Sequence, residues 1–406
     1  MKIIEGGVCA PKGFRAGGIH CGVRANKEKK DLALLVSETR CTAAAVYTKN
    51  KVTSAPIAVC RAHLADGMAQ AVICNSGIAN TCCAGGEKVA EEMARLVAEH
   101  TGVAAADVLV GSTGVIGQPL NIAPIRAGMD ALCAALGEGP EHALAAEQAI
   151  MTTDTAPKIV AVEFTLGGKT CRLGGIAKGS GMIHPNMATM LVFLTTDAAI
   201  SSEMLQKALS ADVQGTFNMT SVDGDTSTND MCCILANGMA GNPAVETEGP
   251  DFAAFMKALN TVTVALCRAI AGDGEGATKL LECTVRGAKD HAAAAAAAKS
   301  VICSSLVKTA MFGADANWGR VLCAVGYSGA DVNVHALDLS FRSAAGTVEV
   351  CRDGAGIAFS EEAAKKILLE SEIYIDITLH EGTAEATAWG CDLSYDYVKI
   401  NGDYRT

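Results

Sequence analysis

The sequence has few aromatic residues and no cluster of basic ones. Phe, Trp and Tyr together make up 4% of its 406 residues, so small and aliphatic side chains must build the core. The 33 Lys and Arg residues are scattered along the chain and are outnumbered by 44 Asp and Glu residues, which leaves a net charge of −11. Nucleic-acid binding requires a basic surface. We therefore expect no nucleic-acid partner.

Long hydrophobic runs and a secretion signal are also missing. No uninterrupted apolar run reaches the roughly 18 residues that a membrane-spanning helix needs. The first five residues lack the apolar stretch of a signal peptide. These absences predict a cytoplasmic protein without a membrane partner. Only 9 prolines occur, and no proline- or serine-rich linker divides the chain, so we expect one interlocked body.

Spacings typical of metal sites are absent, although the chain has 17 cysteines and 8 histidines. No Cys-x-x-Cys or His-x-x-x-His spacing occurs, and Cys82-Cys83 and Cys232-Cys233 are adjacent pairs, which is poor spacing for zinc. The glycine-rich segments 167–170 and 272–276 lack the pattern of a nucleotide-binding loop. We therefore expect reduced cysteines that act as small hydrophobic side chains, with no metal and no cofactor.

The chain does contain an alternation of short apolar strands and amphipathic helices. Strands are predicted at 32–36, 71–74, 108–110, 190–194, 279–285, 348–351, 373–379 and 384–388. Helices are predicted at 87–100, 123–136, 252–270 and 291–299, with another that begins after Ser201 or Ser202. Residues 160–166 and 169–173 alternate around Gly167-Gly168, which predicts a β-hairpin. The pattern indicates an α/β fold.

A glycine-rich segment, residues 174–188, leads into Thr189. A threonine hydroxyl is a weak nucleophile that needs a base. Cleavage between Ala188 and Thr189 would create an α-amino group beside that hydroxyl, with a reference pKa of about 7.7–8.0. Glycines 174, 175, 179 and 181 are expected to allow the unusual backbone angles of a cleavable turn. By composition alone, an ordinary loop with a threonine at the start of a strand is the favoured interpretation.

Residues 178–191 resemble the self-cleavage segment of the ornithine acetyltransferase family. The resemblance extends over nearly the whole chain, through the motifs at 10–14, 31–34, 75–77, 111–117, 151–155, 223–230, 273–279, 306–310, 317–320, 388–393 and 400–406. It implies a layered helix–sheet α/β fold of the self-cleaving N-terminal-nucleophile type. It also implies an α chain, 1–188, and a β chain, 189–406, which associate as a heterotetramer of two copies each.

The resemblance further implies an acyltransferase of arginine biosynthesis. Thr189 would take the acetyl group of N2-acetylornithine and pass it to glutamate in a ping-pong reaction, while the Thr113 hydroxyl and the Gly114 N–H would stabilise the oxyanion. The resemblance is compatible with enzymes that use acetyl-CoA as a second acetyl donor and with enzymes that do not. The substrate-binding residues that the resemblance implies are Thr152, Lys178, Thr189, Glu275, Asn401 and Thr406.

The charges of two of these residues give a chemical reason for their implied roles. Lys178 suits an anionic carboxylate, and Glu275 suits the ammonium group of ornithine. Two other functions remain possible from the residues: a self-processing amidohydrolase or aminopeptidase with water as acceptor, and a small-molecule binding protein with an intact chain. Acetate release without glutamate identifies the first, and a single band on a denaturing gel identifies the second.

Overall fold

The computed structural model describes residues 1–184 and 190–402. Its strands are β1 Lys2–Ile4, β2 Phe14–Ile19, β3 Leu32–Tyr47, β4 Met68–Ile78, β5 Val108–Val115, β6 Lys158–Leu166, β7 Lys169–Lys178, β8 Leu191–Thr196, β9 Met231–Ala236, β10 Leu280–Ala288, β11 Asp338–Ser343, β12 Gly346–Arg352, β13 Ala355–Gly356, β14 Glu372–Thr378 and β15 Ala384–Cys391. Its α-helices are α1 Ala55–His63, α2 Gly86–Thr101, α3 Ile122–Ala134, α4 Pro140–Ile150, α5 Ser202–Gly215, α6 Pro250–Gly272, α7 His291–Cys303, α8 Ser305–Phe312, α9 Trp318–Gly326, α10 Glu361–Leu368 and α11 Tyr395–Gly402.

The larger sheet joins strands from both sides of Thr189 in the sequence. Its order is β1-β6-β7-β8-β9-β3-β4-β5, and β2 pairs with β3 as well. β7 runs antiparallel to β8, with Lys178 opposite Leu191, and β8 runs parallel to β9. β8 and β9, which follow Thr189, therefore lie in the middle of the sheet, between strands that precede it.

The central strands of this sheet are buried on both faces, which explains their continuous apolar sequences. Along β8, Leu191 and Phe193 belong to the core that includes helices α1 to α4. Val192 and Leu194 belong to the core that includes α5 and α6. Because successive side chains of a strand point to opposite faces, the sheet is the middle layer between two groups of helices. This agrees with the layered α/β fold that the sequence predicts.

A second sheet has the order β13-β12-β11-β14-β10-β15. Helix α6 contacts strands of both sheets, and one apolar core continues through them. Among the described helices, α6 alone is long and apolar enough to cross a membrane, and the bent pair α7 and α8 meets that test only when taken together. Because Phe255, Leu259 and Leu266 are buried in the shared core, α6 has the packing of a core helix.

The predicted elements are present, with ends that differ from the expected ones. The hairpin is confirmed, since Leu166 pairs with Lys169 and both intervening glycines have positive φ. The Ser201 side chain accepts a hydrogen bond from the Met204 N–H and caps α5. The strand predicted at 32–36 is only the first part of β3, which continues to Tyr47.

Candidate active site

Six of the predicted site residues line one cavity of about 310 Å³: Thr113, Gly114, Thr152, Lys178, Glu275 and Asn401. They come from β5, from the loop after α4, from the end of β7, from the loop after α6 and from α11. The volume is in the range of small-molecule sites. The remaining predicted residues, Ala188, Thr189 and Thr406, lie outside the described residues.

Lys178 ends strand β7 and is buried, with 9% of its surface exposed. Lys178 lies in the strand, before the loop that starts at Gly179, and its side chain is therefore not solvated as a loop residue would be. Its Nζ donates a hydrogen bond to Thr113 Oγ1 over 3.4 Å. Since the Thr113 oxygen accepts this bond, its own O–H hydrogen can be donated to another group. A donor to a developing oxyanion requires such a hydroxyl.

Gly114 lies at a close approach between strands β4 and β5. It has a φ of +129°, and a Cβ at this position would lie 2.2 Å from the carbonyl carbon of Gly77. Gly77 is its register partner and also has a positive φ, +109°. The close approach therefore requires glycine, and it leaves the β5 backbone without a side chain at the cavity wall.

Glu275 brings a carboxylate to the same cavity. It is 7% exposed, and its Oε2 accepts a 2.7 Å hydrogen bond from Asn401 Nδ2. Its backbone N–H donates to the Ser180 carbonyl over 3.0 Å, which ties it to the loop after Lys178. Among the described lining residues, the cavity thus has one cation, Lys178, and one carboxylate, Glu275.

The glycines of this loop do not have the backbone angles that the sequence was expected to require. Gly174 and Gly175 lie within extended β7, and positive φ is found at neither of them, nor at Gly179 or Gly181. Close contacts occur at three of the four. A Cβ at Gly174 would lie 1.8 Å from the Gly7 oxygen, one at Gly175 would lie 2.5 Å from Leu194 Cδ2, and one at Gly181 would lie 2.3 Å from Glu275 Oε2. The left-handed residue is Met182, with a φ of +55°.

A buried carboxylate, Asp154, fixes the backbone on two sides of the cavity. It accepts hydrogen bonds from the N–H groups of Thr152, at 2.9 Å, and Gly179, at 2.7 Å. Burial alone would raise the pKa of the Asp154 carboxyl, but the ammonium groups of Lys178 and Lys158 outweigh it and hold that pKa below its ordinary value. Asp154 is therefore a charged anchor, and sequence reasoning noted it only as part of the motif at 151–155 and assigned it no role.

The Asp154 anchor continues into a buried ion pair. Lys158 Nζ lies 2.8 Å from Asp154 Oδ1 and 2.6 Å from Asp273 Oδ2, and the Lys158 side chain is only 1% exposed. The carbonyl of Asp273 in turn accepts a 2.7 Å hydrogen bond from Ser180 Oγ. The network thus connects β6, the loop after β7 and the loop that contains Glu275.

The polar motif at 223–230 and the first residue of β9 hold the chain on the two sides of residues 185–189. Asp223 accepts hydrogen bonds from the N–H groups of Met182, at 2.7 Å, and Ile183, at 2.9 Å. Thr226 Oγ1 donates to the His184 carbonyl over 2.8 Å, and the Met231 N–H donates to the Met190 carbonyl over 2.9 Å. Sequence reasoning assigned no role to this motif. Its many Asp, Thr and Asn residues could have indicated a hydrogen-bonding segment.

Asn229 joins this motif to strand β5. Its Nδ2 donates to the carbonyls of Ala79, at 2.6 Å, and Ser112, at 2.7 Å, while its Oδ1 accepts from Thr81 Oγ1 at 2.8 Å. Next to it, Asp230 lines a small cavity together with Thr113, Lys178 and Met190. Burial raises the pKa of Asp230 well above its ordinary value, which favours the neutral carboxylic acid.

No cysteine is among the described residues that line the active-site cavity. All 17 cysteines fall within the described ranges and are free thiols, as the sequence predicts. Burial raises the pKa of the Cys171 thiol to about 11, which disfavours the reactive thiolate. Within residues 1–184 and 190–402, no group of three or more His, Cys, Asp or Glu side chains is arranged to hold a metal ion.

Comparisons with known proteins identify the family. The model of the ArgJ family matches residues 15–406. The arginine biosynthesis bifunctional protein ArgJ of Symbiobacterium thermophilum is 51% identical over 408 residues and that of Caldanaerobacter subterraneus subsp. tengcongensis is 50% identical over 409 residues, each with 100% of both chains covered. A crystal structure of the ornithine acetyltransferase of Mycobacterium tuberculosis in complex with ornithine is 36% identical, with 46% of this chain and 99% of that chain covered and a TM-score of 0.42.

These matches confirm the resemblance that the sequence motifs indicate, and they do so over the whole length of the chain. The residues of the cavity lie inside the matched range, from Thr113 to Asn401. The chain belongs to the ArgJ family.

Proposed function

We propose that the chain cleaves itself between Ala188 and Thr189 and then transfers an acetyl group from N2-acetylornithine to glutamate through an ester on Thr189. The observation that carries this proposal is the single cavity in which Thr113, Lys178 and Glu275 meet from distant parts of the sequence. The name of the relatives, arginine biosynthesis bifunctional protein, supports amino acids of that pathway as substrates.

In the proposed cleavage, the Thr189 hydroxyl oxygen attacks the carbonyl carbon of Ala188. The C–N bond breaks, the nitrogen takes up the hydroxyl proton, and an ester forms. Water then hydrolyses the ester, which leaves a carboxylate on Ala188 and a free α-amino group on Thr189. That amine has an ordinary pKa of about 7.7–8.0, close to the value that suits a general base at neutral pH.

Acetyl transfer uses the same hydroxyl twice. The Thr189 oxygen attacks the acetyl carbonyl of N2-acetylornithine while its proton passes, through the α-amino group, to the departing amine of ornithine. The amine of glutamate then attacks the acetyl ester, forms N-acetylglutamate and returns a proton to the threonine oxygen. Each half-reaction passes through an oxyanion, for which the Thr113 hydroxyl and the Gly114 N–H are the proposed donors.

Substrate recognition follows from the charges that line the cavity. Lys178 is the proposed partner of the substrate carboxylate, and Glu275 is the proposed partner of the ornithine ammonium group. Thr152, Asn401 and Thr406 are proposed as neutral contacts, which can serve substrates with side chains of opposite charge. No metal or bound cofactor has a step in this reaction.

Two extensions belong to the proposal. The word bifunctional in the relatives' name supports a second activity, and we include acetyl-CoA as a second acetyl donor to Thr189. The products of cleavage, 1–188 and 189–406, are proposed to stay together through the β7–β8 ladder and to assemble as a heterotetramer of two copies each.

A comparison of Thr189→Ala, Thr189→Ser and the natural chain tests the proposal. On a denaturing gel and by intact mass, we expect two chains from the natural protein, one chain from Thr189→Ala and partial cleavage of Thr189→Ser, which keeps a hydroxyl. Across the three proteins, the rate of acetyl transfer should decrease as the fraction of cleaved chain decreases. Thr165→Ala, which removes an exposed threonine hydroxyl at the end of β6, is the control and should behave as the natural chain.

Two outcomes would contradict this function. If the Thr189→Ala variant also yields two chains, Thr189 is not the nucleophile of the cleavage. Stoichiometric acetate release from N2-acetylornithine without glutamate, at the rate seen with glutamate, would identify a hydrolase of the amidohydrolase or aminopeptidase kind, since transfer requires that water be excluded from the acetyl ester.

A further inference from the structure

A second cavity, of about 440 Å³, adjoins the active-site cavity. Four residues line both cavities: Gly114, Val115, Thr152 and Thr153. The opposite wall of the second cavity is formed by the loop between β2 and β3, from Val23 to Lys29, and by the end of β4 at Gly77 and Ile78. We call this cavity the second chamber. A ligand with its acyl group at Gly114 can therefore extend into it.

The second chamber differs from the active-site cavity in its charge. Its charged lining residues, among those that the structure describes, are Arg24 and Lys29, and no Asp or Glu side chain accompanies them. Lys29 Nζ donates to the Thr152 carbonyl over 3.5 Å, and the Arg24 guanidinium donates to the Met151 carbonyl. Two cations in one concave wall create a positive potential that favours an anionic ligand.

The loop that provides these cations is held by a buried carboxylate. Asp31 is fully buried and accepts hydrogen bonds from the N–H groups of Cys21, at 2.6 Å, Gly22, at 3.1 Å, and Arg24, at 2.9 Å. The Arg24 side chain also depends on Gly77, where a Cβ would lie 2.7 Å from Arg24 Cγ. Specific contacts therefore hold the loop that carries Arg24 and Lys29. The Asp31 carboxylate is stabilised by hydrogen bonds from N–H groups of this loop.

We propose that the second chamber is an anion-binding subsite, which holds the negatively charged end of a ligand whose reacting group, the acyl group of a donor or the amine of an acceptor, lies at Gly114. This inference rests on the proposed function, because acyl transfer supplies the reason for a ligand to span both cavities. An anionic end can come from two sources: the side-chain carboxylate of the amino acid acceptor, or a phosphate group of a phosphorylated acyl donor. Lys29 would be a specificity-determining residue in either case.

Inorganic pyrophosphate binding to the purified protein, measured by calorimetry, tests the subsite without any turnover. We expect binding that weakens as NaCl is added. Lys29→Gln should weaken it by about 3- to 10-fold, since a charge-assisted contact is lost, and Lys29→Arg should keep it within about 2-fold. Lys27→Gln is the matched control, because Lys27 lies in the same loop and is exposed but does not line the chamber.

Steady-state kinetics of the same variants identify the source of the anion. If KM for glutamate rises while kcat is retained, with N2-acetylornithine as donor, the acceptor carboxylate is the group that occupies the subsite. A rise in KM for acetyl-CoA alone assigns a phosphate of the donor. The subsite is overturned if pyrophosphate does not bind, or if Lys29→Gln changes neither its affinity nor either KM beyond the Lys27→Gln control. Binding of pyrophosphate through Lys29 in a protein without transferase activity would support the subsite and contradict the proposed function.

Discussion

Lys158 Nζ lies 2.6 Å from the carboxylate of Asp273, and this buried contact joins the part of the chain before Thr189 to the part after it. Asp154 completes the network at 2.8 Å from the same ammonium group. Removal of one partner from a buried ion pair leaves a charge without compensation, which costs about 3–5 kcal/mol. The network is therefore a sensitive point for the stability of the whole fold.

Asp273→Asn should lower the free energy of unfolding by about 3 kcal/mol, because Lys158 keeps only Asp154 as a charged partner. Urea unfolding followed by circular dichroism measures the change. Glu248→Gln is the control: it removes one partner of the Lys207–Glu248 ion pair, in which both side chains are mostly exposed, and such pairs contribute little. If Asp273→Asn and the natural chain unfold at the same urea concentration, the ion-pair network does not stabilise the fold.

Glu147 should make the stability depend on pH. It is fully buried, and burial raises the pKa of its carboxyl from 4.5 to about 8. Since the folded state holds this proton more tightly than the unfolded state, its contribution is complete below about pH 4.5 and is lost as the pH rises through about 8.

Glu147→Gln should therefore flatten the decline of stability between about pH 5 and pH 8, a decline of up to about 4 kcal/mol from one such group. Unfolding free energies at several pH values measure it. Glu141→Gln, an exposed change on the same helix, should leave the decline as it is. A decline that persists in Glu147→Gln would show that the carboxyl is ionised in the folded protein.

Thr113→Val should lower kcat by about 100-fold with little change in KM, since an oxyanion donor acts mainly in the transition state. Valine keeps the shape of the side chain and removes the hydroxyl that Lys178 contacts. Thr113→Ser restores a hydroxyl and should recover much of the rate. An unchanged kcat in Thr113→Val would exclude the hydroxyl as a donor.

Asn401→Ala should raise the KM for N2-acetylornithine by about 5- to 10-fold, because Glu275 loses a hydrogen-bond partner worth about 1–1.5 kcal/mol. Self-cleavage needs no substrate and should continue. Lys399→Ala, an exposed change on the same helix, is the control for the helix itself. Kinetics of Asn401→Ala that match those of Lys399→Ala would limit α11 to a structural role.

Cys391→Ala should reduce stability by about 1–2 kcal/mol through lost packing and leave acetyl transfer intact. The Cys391 thiol is buried, and burial raises its pKa above the ordinary value, so it does not supply a thiolate. Cys171→Ala, also in the core, should behave in the same way. A folded variant that binds substrate but has no turnover would give its cysteine a chemical role.

Local patterns in the sequence were sufficient for elements with a strong period or a clear turn. The β6–β7 hairpin and helix α6 are examples. A short continuous apolar run has no period that separates strand from helix: a strand was predicted from such a run at β8, whereas the similar run of β9, Met231–Ala236, which is buried along its whole length, was missed. Helix α4 was missed because it spans only 11 residues and its buried residues are mostly alanine, which gives a weak apolar period.

For the site, the motifs predicted six residues that the structure brings to one cavity, but not the reasons for their positions. The burial of Lys178 could not be predicted, since it depends on Thr113, 65 residues away. The glycine assignment failed for a similar reason: Gly174 is required by the Gly7 carbonyl oxygen, a contact between residues that no local pattern relates. Long-range contacts of this kind set the geometry of the cavity.

The order of strands in the larger sheet limits when the chain can be cut. Strands β6 and β7 are hydrogen-bonded to β3 only through β8 and β9, so residues 1–188 alone would hold two separated pieces of one sheet. A continuous chain keeps β8 and β9 at high effective concentration beside both pieces, an advantage that two free fragments would lack. If the chain cleaves as proposed, the bond before Thr189 would be a tether during folding, and we expect its cleavage only after β8 and β9 have paired with their neighbours.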